Sequence, residues 1–332
     1  MNSPQTDATG RSVTLQDVAR EADVAVSTVS RALSNPDRVS RAMRERIEEV
    51  AKRLGYTSGR APVRGALLAL MVSGIGNPYN AALIRAVESQ ARAAGSSLII
   101  GDIADGPEVE LANLERLGGR DIDGVILASS MLPEEELRSL DKAAELVLFN
   151  REVAGFPSVL TDSRDSSRQI VEHLAALGHR SIGYLSGPPA LWTDNERWRG
   201  LADHAARLGV DIVRLGPFMP TPDQGTAAAD VGLGSGATAL VAFNDLLAIG
   251  VLQRLRRRKV DVPGAISVVG YDDIFGADFC QPSLTTAHTD VDHTGRTLVD
   301  LVVGRILSRP DTPIVIPAQL VVRDSTGPVG RG

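Results

Sequence analysis

Arg31 stands one helical turn beyond Val26 and Ser27, in a short stretch rich in small and polar residues. Together these three side chains could read base edges. A guanidinium donates two parallel hydrogen bonds to guanine, a serine hydroxyl donates or accepts, and a valine can touch a thymine methyl. Thr28, Ser30 and Asn35 suit phosphate contacts, which set register rather than sequence. Thr14 and Tyr56 close the two ends of the same segment as further candidate contacts. A second set lies far downstream, each residue just after an apolar run: Tyr79, Asp102, Ser129, Trp192, Arg197, Phe218, Asn244 and Asp272. Carboxylate and amide oxygens accept from hydroxyls, guanidinium donates, and aromatic rings cover an apolar face. Those are the groups that a polyhydroxylated ligand needs.

The first set requires short helices to present it. Thr14 followed by Asp17 reads as a capping-box-like helix start. Leu15, Val18 and Ala19 form its apolar stripe. Residues 22–24 read as the turn, where Asp23 tolerates the left-handed geometry a glycine would take most easily. A second helix is expected over about 26–33, with Val29, Ala32 and Leu33 inward. Ser40 then caps a third helix over 41–54, striped by Met43, Ile47, Val50 and Leu54. This is a helix-turn-helix pattern, in which the first turns of the second helix meet the major groove.

The second set requires strand ends. From Ala66 onward, apolar runs alternate with amphipathic ones. Eight strands are expected: ALLALMV, SSLIIGD, DGVILAS, ELVLFN, SVLTD, SIGYLSG, TALVAFN and SVVGYDD. Helices are expected over about 80–94, 163–177, 195–208 and 244–257. This rhythm predicts parallel α/β sheets in two doubly wound lobes. Ligands of such sheets bind beyond the carboxyl ends of the strands. The fold class is therefore an N-terminal all-α helix-turn-helix head plus an α/β domain of two doubly wound lobes.

Composition sets the bounds. The 332 residues exceed what one core holds, and 43% apolar with 23% charged is ordinary for a globular chain. The net charge is −6, yet residues 1–60 carry ten Lys/Arg against eight acids, a net of +2 that leaves −8 on the rest. A basic head on an acidic body suits nucleic acid bound by the head alone. The single cysteine, Cys280, excludes an internal disulfide or a cysteine metal cluster and reads as a small buried hydrophobe. No cofactor or metal is expected. The longest apolar run, Ala66–Val72, cannot span a bilayer and the polar first residues lack a signal-peptide core. A cytoplasmic protein without membrane contact is expected.

The segment VTLQDVAREADVAVSTVSRALSNPDRVS, followed by RERIEEVAKRLGY, resembles the DNA-binding domain of the LacI-type (lac repressor) family at almost every position. The resemblance continues through NPYNAALIRAVE, HLAALGHRSIGYLSGP, ERWRGLADHA, AFNDLLAIGVLQ, VPGAISVVGYDD and QPSLTTAHTD, which are similar to LacI-type effector domains, themselves related to periplasmic sugar-binding proteins. It covers residues 12–328. It implies a DNA-binding head over 12–56, a hinge over 57–65 and an effector-binding, dimerising domain over 66–328. Lobe 1 would take about 66–161 and 290–318, and lobe 2 about 162–289 and 319–328. It implies that Val26 and Ser27 are the specificity pair and Arg31 a base contact. It also implies that Arg197, Asn244, Asp272, Phe218, Thr289 and Tyr79 occupy effector positions. Trp192 is added from its place in a variable loop.

The resemblance implies a homodimeric transcriptional repressor on a palindromic DNA operator, tuned by a small-molecule effector. A sugar or sugar derivative is the favoured effector and a nucleoside or purine the second. Release by inducer and corepression are both open. The other classes are a sugar-binding protein of the transport type and a sugar- or nucleoside-processing enzyme. The latter lacks any evident nucleophile–base pair, phosphate loop or metal cluster. One departure stands out. The family's hinge carries a pattern like N-x-x-A-R-x-L, whose leucine wedges into the minor groove. Here Tyr56 is followed by TSGRAPVRG, whose glycines and proline argue against a helix.

Three features resemble sites and are read otherwise. Gly232–Gly236 has phosphate-loop glycines but precedes a strand and lacks the third-glycine spacing. RLRRRK over 254–259 is a solvated helix end, where cations are favoured. The five histidines show no paired metal spacing.

Overall fold

The computed structural model describes residues 15–25, 28–29, 41–54, 65–104, 106–118, 122–140, 145–304 and 312–330. Helix α1 (Leu15–Glu21) and helix α2 (Arg41–Leu54) pack around Val18, Ala19, Ala22, Val29, Ile47, Val50 and Ala51, the small core of the head. Asp23 takes φ +53, the left-handed geometry expected of the turn. The turn closes with Val24 N–H donating to the Ala19 carbonyl at 3.0 Å. An exposed Arg53–Glu21 ion pair at 3.0 Å joins α2 to α1. The chain is helical again at Thr28 and Val29, and Val29 is buried.

The larger domain holds two six-stranded sheets. The first is built from β1 (Leu67–Val72), β2 (Ser97–Asp102), β3 (Gly124–Ala128), β4 (Glu145–Phe149), β5 (Ser158–Thr161) and β11 (Ile314–Ile316), in the order β11-β5-β4-β3-β1-β2. All its pairings are parallel. The second is built from β6 (Ser181–Leu185), β7 (Asp211–Leu215), β8 (Ala239–Ala242), β9 (Ser267–Tyr271), β10 (Thr285–Thr289) and β12 (Ala318–Val321), in the order β12-β10-β9-β8-β6-β7. It is parallel except for β10 against β12.

Helices cover both faces of each sheet. α3 (Pro78–Ala93) and α10 (Val291–Val302) pack together on one face of the first, over Leu68, Leu70, Val87, Ile126 and Leu298. α4 (Pro107–Gly118) and the short α5 (Glu134–Ser139) lie over its other face. On the second sheet, α6 (Ser163–Ala176) pairs with α7 (Trp192–Leu208), and α8 (Gln224–Gly234) with α9 (Asp245–Arg257). The central strands β3 and β9 are buried at every residue, as parallel strands covered on both faces must be. The chain passes between the sheets after Thr161, after Thr289 and after Ile316, so three strand ends meet at one junction.

Twelve strands stand among the described residues where eight are expected from the sequence. β7 is a half-exposed edge strand, and β11 and β12 are too short for a periodic signal. β10 reads TTAHT, polar by composition, yet both its leading threonines are fully buried with their hydroxyls bonded. The helix expected from Asn195 starts three residues earlier, at Trp192. RLRRRK does end a helix, and Asp230 of α8 holds Arg254 and Arg258 at 2.7 Å each.

Candidate functional site

Arg197 lies on α7 and Asp272 just beyond β9, the arrangement that puts both at the end of the second sheet. Arg197 Nη2 donates to Asp272 Oδ1 at 3.0 Å, and Nη1 donates to the Phe243 carbonyl. The guanidinium carbon also sits 4.3 Å from the Tyr271 ring centroid and 4.9 Å from that of Phe243. The two charged side chains are only 8% and 13% exposed, so this is a desolvated pair. Burial works against the charge on Arg197, but Asp272 and the neighbouring tyrosines hold its pKa above the ordinary arginine value. Burial pushes the Asp272 carboxyl up, and Arg197 opposes that rise.

This pair lines a small, partly open cavity between the lobes. Tyr79, Asn150 and Thr161 come from the first lobe. Ser163, Ser166, Tyr271 and Thr289 come from the second. Asn77 caps α3 by accepting from Tyr79 N–H at 3.0 Å, which sets the entry of the helix that carries Tyr79. The Tyr79 hydroxyl and Arg197 Nε are both buried and have no hydrogen-bond partner among the described residues. Such groups are costly to leave unmade. Burial, followed by the charge of Asp272, raises the Tyr79 pKa far above the phenol value, so its hydroxyl stays protonated as a donor. Burial likewise carries Tyr271 to about 12, and its hydroxyl is bonded to Ser167 at 2.8 Å.

Of the residues singled out in the sequence, Tyr79, Arg197, Asp272 and Thr289 line this cavity. Asp102, Ser129, Trp192, Phe218 and Asn244 do not. Asp102 accepts from the backbone N–H groups of Gly74, Ile75 and Ala104, which hold its carboxyl below the usual range despite burial, and it ties the loop after β1 in place. Ser129 takes φ +56 in the turn after β3. Trp192 is the first residue of α7. Phe218 packs in the second lobe's core beside Leu185 and Leu191. Asn244 caps α9, accepting from Leu247 N–H at 3.0 Å. Sequence reasoning passed over Thr161, Ser163 and Ser166. Thr161 and Ser163 stand within two residues of a strand end, the one signal that could have found them, while Ser166 lies one turn into α6. Of the candidate DNA contacts, Thr28 is half-buried. Thr14, Val26, Ser27, Ser30, Arg31, Asn35 and Tyr56, with hinge residues 57–64, lie outside the described residues.

The match to known proteins follows the same division. Residues 14–58 match the model of bacterial regulatory proteins of the lacI family, and residues 171–326 match that of a periplasmic binding protein-like domain. The chain is 31% identical to the HTH-type transcriptional repressor CytR of Escherichia coli K12, over 94% of this chain and 96% of that one. The chain belongs to the LacI family. A transcriptional regulator CelR–cellobiose complex shares its fold at a TM-score of 0.70 and 29% identity, covering 94% of this chain and 99% of that one. The lac repressor dimer bound to operator and the anti-inducer ONPF does so at 0.71 and 25%, covering 96% and 100%. LacI-family membership makes this chain a DNA-binding transcriptional regulator and not an enzyme. Among the described residues no helix is long and apolar enough to cross a membrane, and no cluster of His, Cys, Asp and Glu could hold a metal ion.

Proposed function

We propose that this LacI-family protein is a homodimeric repressor whose hold on a palindromic operator is set by a sugar, or sugar derivative, bound between the lobes. The observation that carries the reading is the pair of unpartnered buried groups in one cavity, Tyr79 Oη from the first lobe and Arg197 Nε from the second. A hydroxylated ligand meets both at once, and Asp272 accepts from a neighbouring hydroxyl. A ligand held by both walls favours the closed arrangement of the lobes by its differential affinity, which is what a switch requires. The charge of Arg197 is already balanced by Asp272, which suits a neutral ligand.

A nucleoside is the weaker reading, because a base needs rings to stack on, and Trp192 and Phe218, two of the three aromatic candidates, do not line the cavity. The dimer is supported by an apolar surface on the second lobe. There Phe275 and Phe279 are 81% and 66% exposed and meet edge to face with centroids 5.1 Å apart. In the head, Val26, Ser27 and Arg31 read bases, while Thr14, Thr28, Ser30, Asn35 and Tyr56 position the backbone. The glycine- and proline-bearing hinge bends DNA less than a wedged leucine would. Inducer release is the default sign of the response. The test is calorimetry of the full chain against a monosaccharide, disaccharide and nucleoside panel, repeated with Arg197→Ala. Binding confined to nucleosides, or binding that survives Arg197→Ala, would overturn it.

A further inference from the structure

Asp245 is fully buried, and neither of its hydrogen-bond donors is a cation. Oδ1 accepts from the Thr286 hydroxyl at 2.6 Å, and Oδ2 accepts from Ile274 N–H at 2.9 Å. Burying a carboxylate is costly unless the group is well bonded, so its position calls for a use. It does not cap α9, because Asn244 already accepts the orphan N–H of Leu247. Its bonds go instead to Ile274, in the turn that follows β9, and to Thr286 of β10.

That turn is strained. Asp272 and Asp273 take φ of +104 and +49 in succession, a region that side chains disfavour. Such geometry persists only where its surroundings hold it. Thr286 Oγ1 accepts from Asp273 N–H at 3.3 Å while donating to Asp245. Asp245 therefore grips the two residues that follow Asp272: Ile274 directly, and Asp273 through Thr286. β9 makes room for it with a glycine. A Cβ on Gly270 would lie 2.0 Å from Asp245 Oδ1, two residues ahead of Asp272. Asp272 N–H donates to the Ala287 carbonyl at 2.9 Å on the other side. The turn is braced from α9 and from β10 at once.

We propose that Asp245 is a positioning residue for effector recognition: through Thr286 and Ile274 it holds the Asp272–Asp273 turn and so aims the Asp272 carboxylate at Arg197 and the cavity. This rests on the reading of that cavity as the effector site. Asp245 touches no ligand itself. Its action is to keep one acceptor within the narrow tolerance that a binding site demands.

The test compares the full-length wild type with Asp245→Ala, Thr286→Val, the conservative Asp245→Asn and the control Asp230→Asn, which disrupts an ion-pair cluster elsewhere in the same lobe. Crystal structures of the unliganded proteins should show the Arg197–Asp272 contact opened beyond hydrogen-bonding distance in Asp245→Ala and Thr286→Val, and largely kept in Asp245→Asn. Calorimetry with D-ribose, D-galactose and cellobiose as probes should show affinity falling about tenfold in Asp245→Ala, less in Thr286→Val and least in Asp245→Asn. Asp230→Asn should leave it unchanged. If Asp245→Ala does not fold, Thr286→Val decides. An intact turn and contact in the variants, or affinity losses no larger than in the control, would overturn the proposal. If the wild type binds none of the three sugars, the sugar reading fails for those probes and the crystal structures alone decide the positioning role.

Discussion

Arg197 and Asp272 are 75 residues apart in the chain, yet Nη2 of one meets Oδ1 of the other at 3.0 Å. Nη1 is committed to the Phe243 carbonyl, and the guanidinium plane is covered by two aromatic rings. The edge left without a partner among the described residues is Nε, beside the cavity. The same contacts thus hold the charge in place and decide which face of it a ligand meets.

Breaking this pair should be expensive and fixing it partly reversible. Asp272→Ala leaves a buried guanidinium uncompensated and should cost about 3 kcal/mol of unfolding free energy. The double variant Arg197→Met with Asp272→Leu should recover at least half of that. Urea denaturation of both singles and the double would measure the coupling, and simple additivity would contradict it.

Tyr79→Phe separates stability from recognition. Its hydroxyl has no partner among the described residues, so its removal should leave stability unchanged or raise it by about 1 kcal/mol. Effector affinity should fall about tenfold if the hydroxyl donates to the ligand. Loss of stability without loss of affinity would show that the hydroxyl serves the fold.

His179 gives a pH dependence with a definite sign. It is buried among Thr238, Ser267 and the Gly327 carbonyl, and burial lowers its pKa from 6.5. The unfolded chain therefore takes up its proton first as pH falls. Stability from this residue is full above the unfolded pKa and declines from there towards the lower native one. Urea midpoints at pH 7.5 and pH 5.5 should differ more in the wild type than in His179→Gln. His173, lowered first by burial and then by His179, acts in the same direction. Equal differences in both proteins would refute the assignment.

The Phe275–Phe279 surface should matter to assembly and not to folding. Phe275→Ser with Phe279→Ser should leave the melting temperature within a few degrees. It should move the sedimentation coefficient towards the monomer and weaken operator binding. A dimer that persists at low micromolar concentration would place the interface elsewhere.

The hinge makes a prediction about DNA shape. Circular-permutation gel shifts on a bound operator should show little mobility change with site position. A strong central kink would mean that residues 57–65 insert into the minor groove despite their glycines and proline.

The head was readable because its signals are local. Val18, Ala19, Ile47 and Val50 follow helical spacing, and Asp23 announces its own left-handed turn. The parallel core strands were readable because they are apolar throughout. What escaped was non-local. β10 hides buried threonines whose hydroxyls are satisfied by residues about 40 positions away, among them Asp245 and Thr326. In the site, a position after a strand could not tell a lining residue from a fastening one. Asn244 and Asp102 spend their oxygens on backbone N–H groups, while Nε of Arg197 has no partner among the described residues. That distinction depends on where each side chain's partners lie in space.

The most direct test is operator affinity measured as a function of effector. The full-length protein would be used to select a duplex from a random pool at moderate salt. Binding to that duplex would then be followed by fluorescence anisotropy with each sugar and nucleoside of the panel. A palindromic site is predicted, with at least one sugar changing its affinity tenfold or more and with Arg197→Ala abolishing the change. Absence of any enriched motif, or an affinity that no sugar alters, would contradict the account.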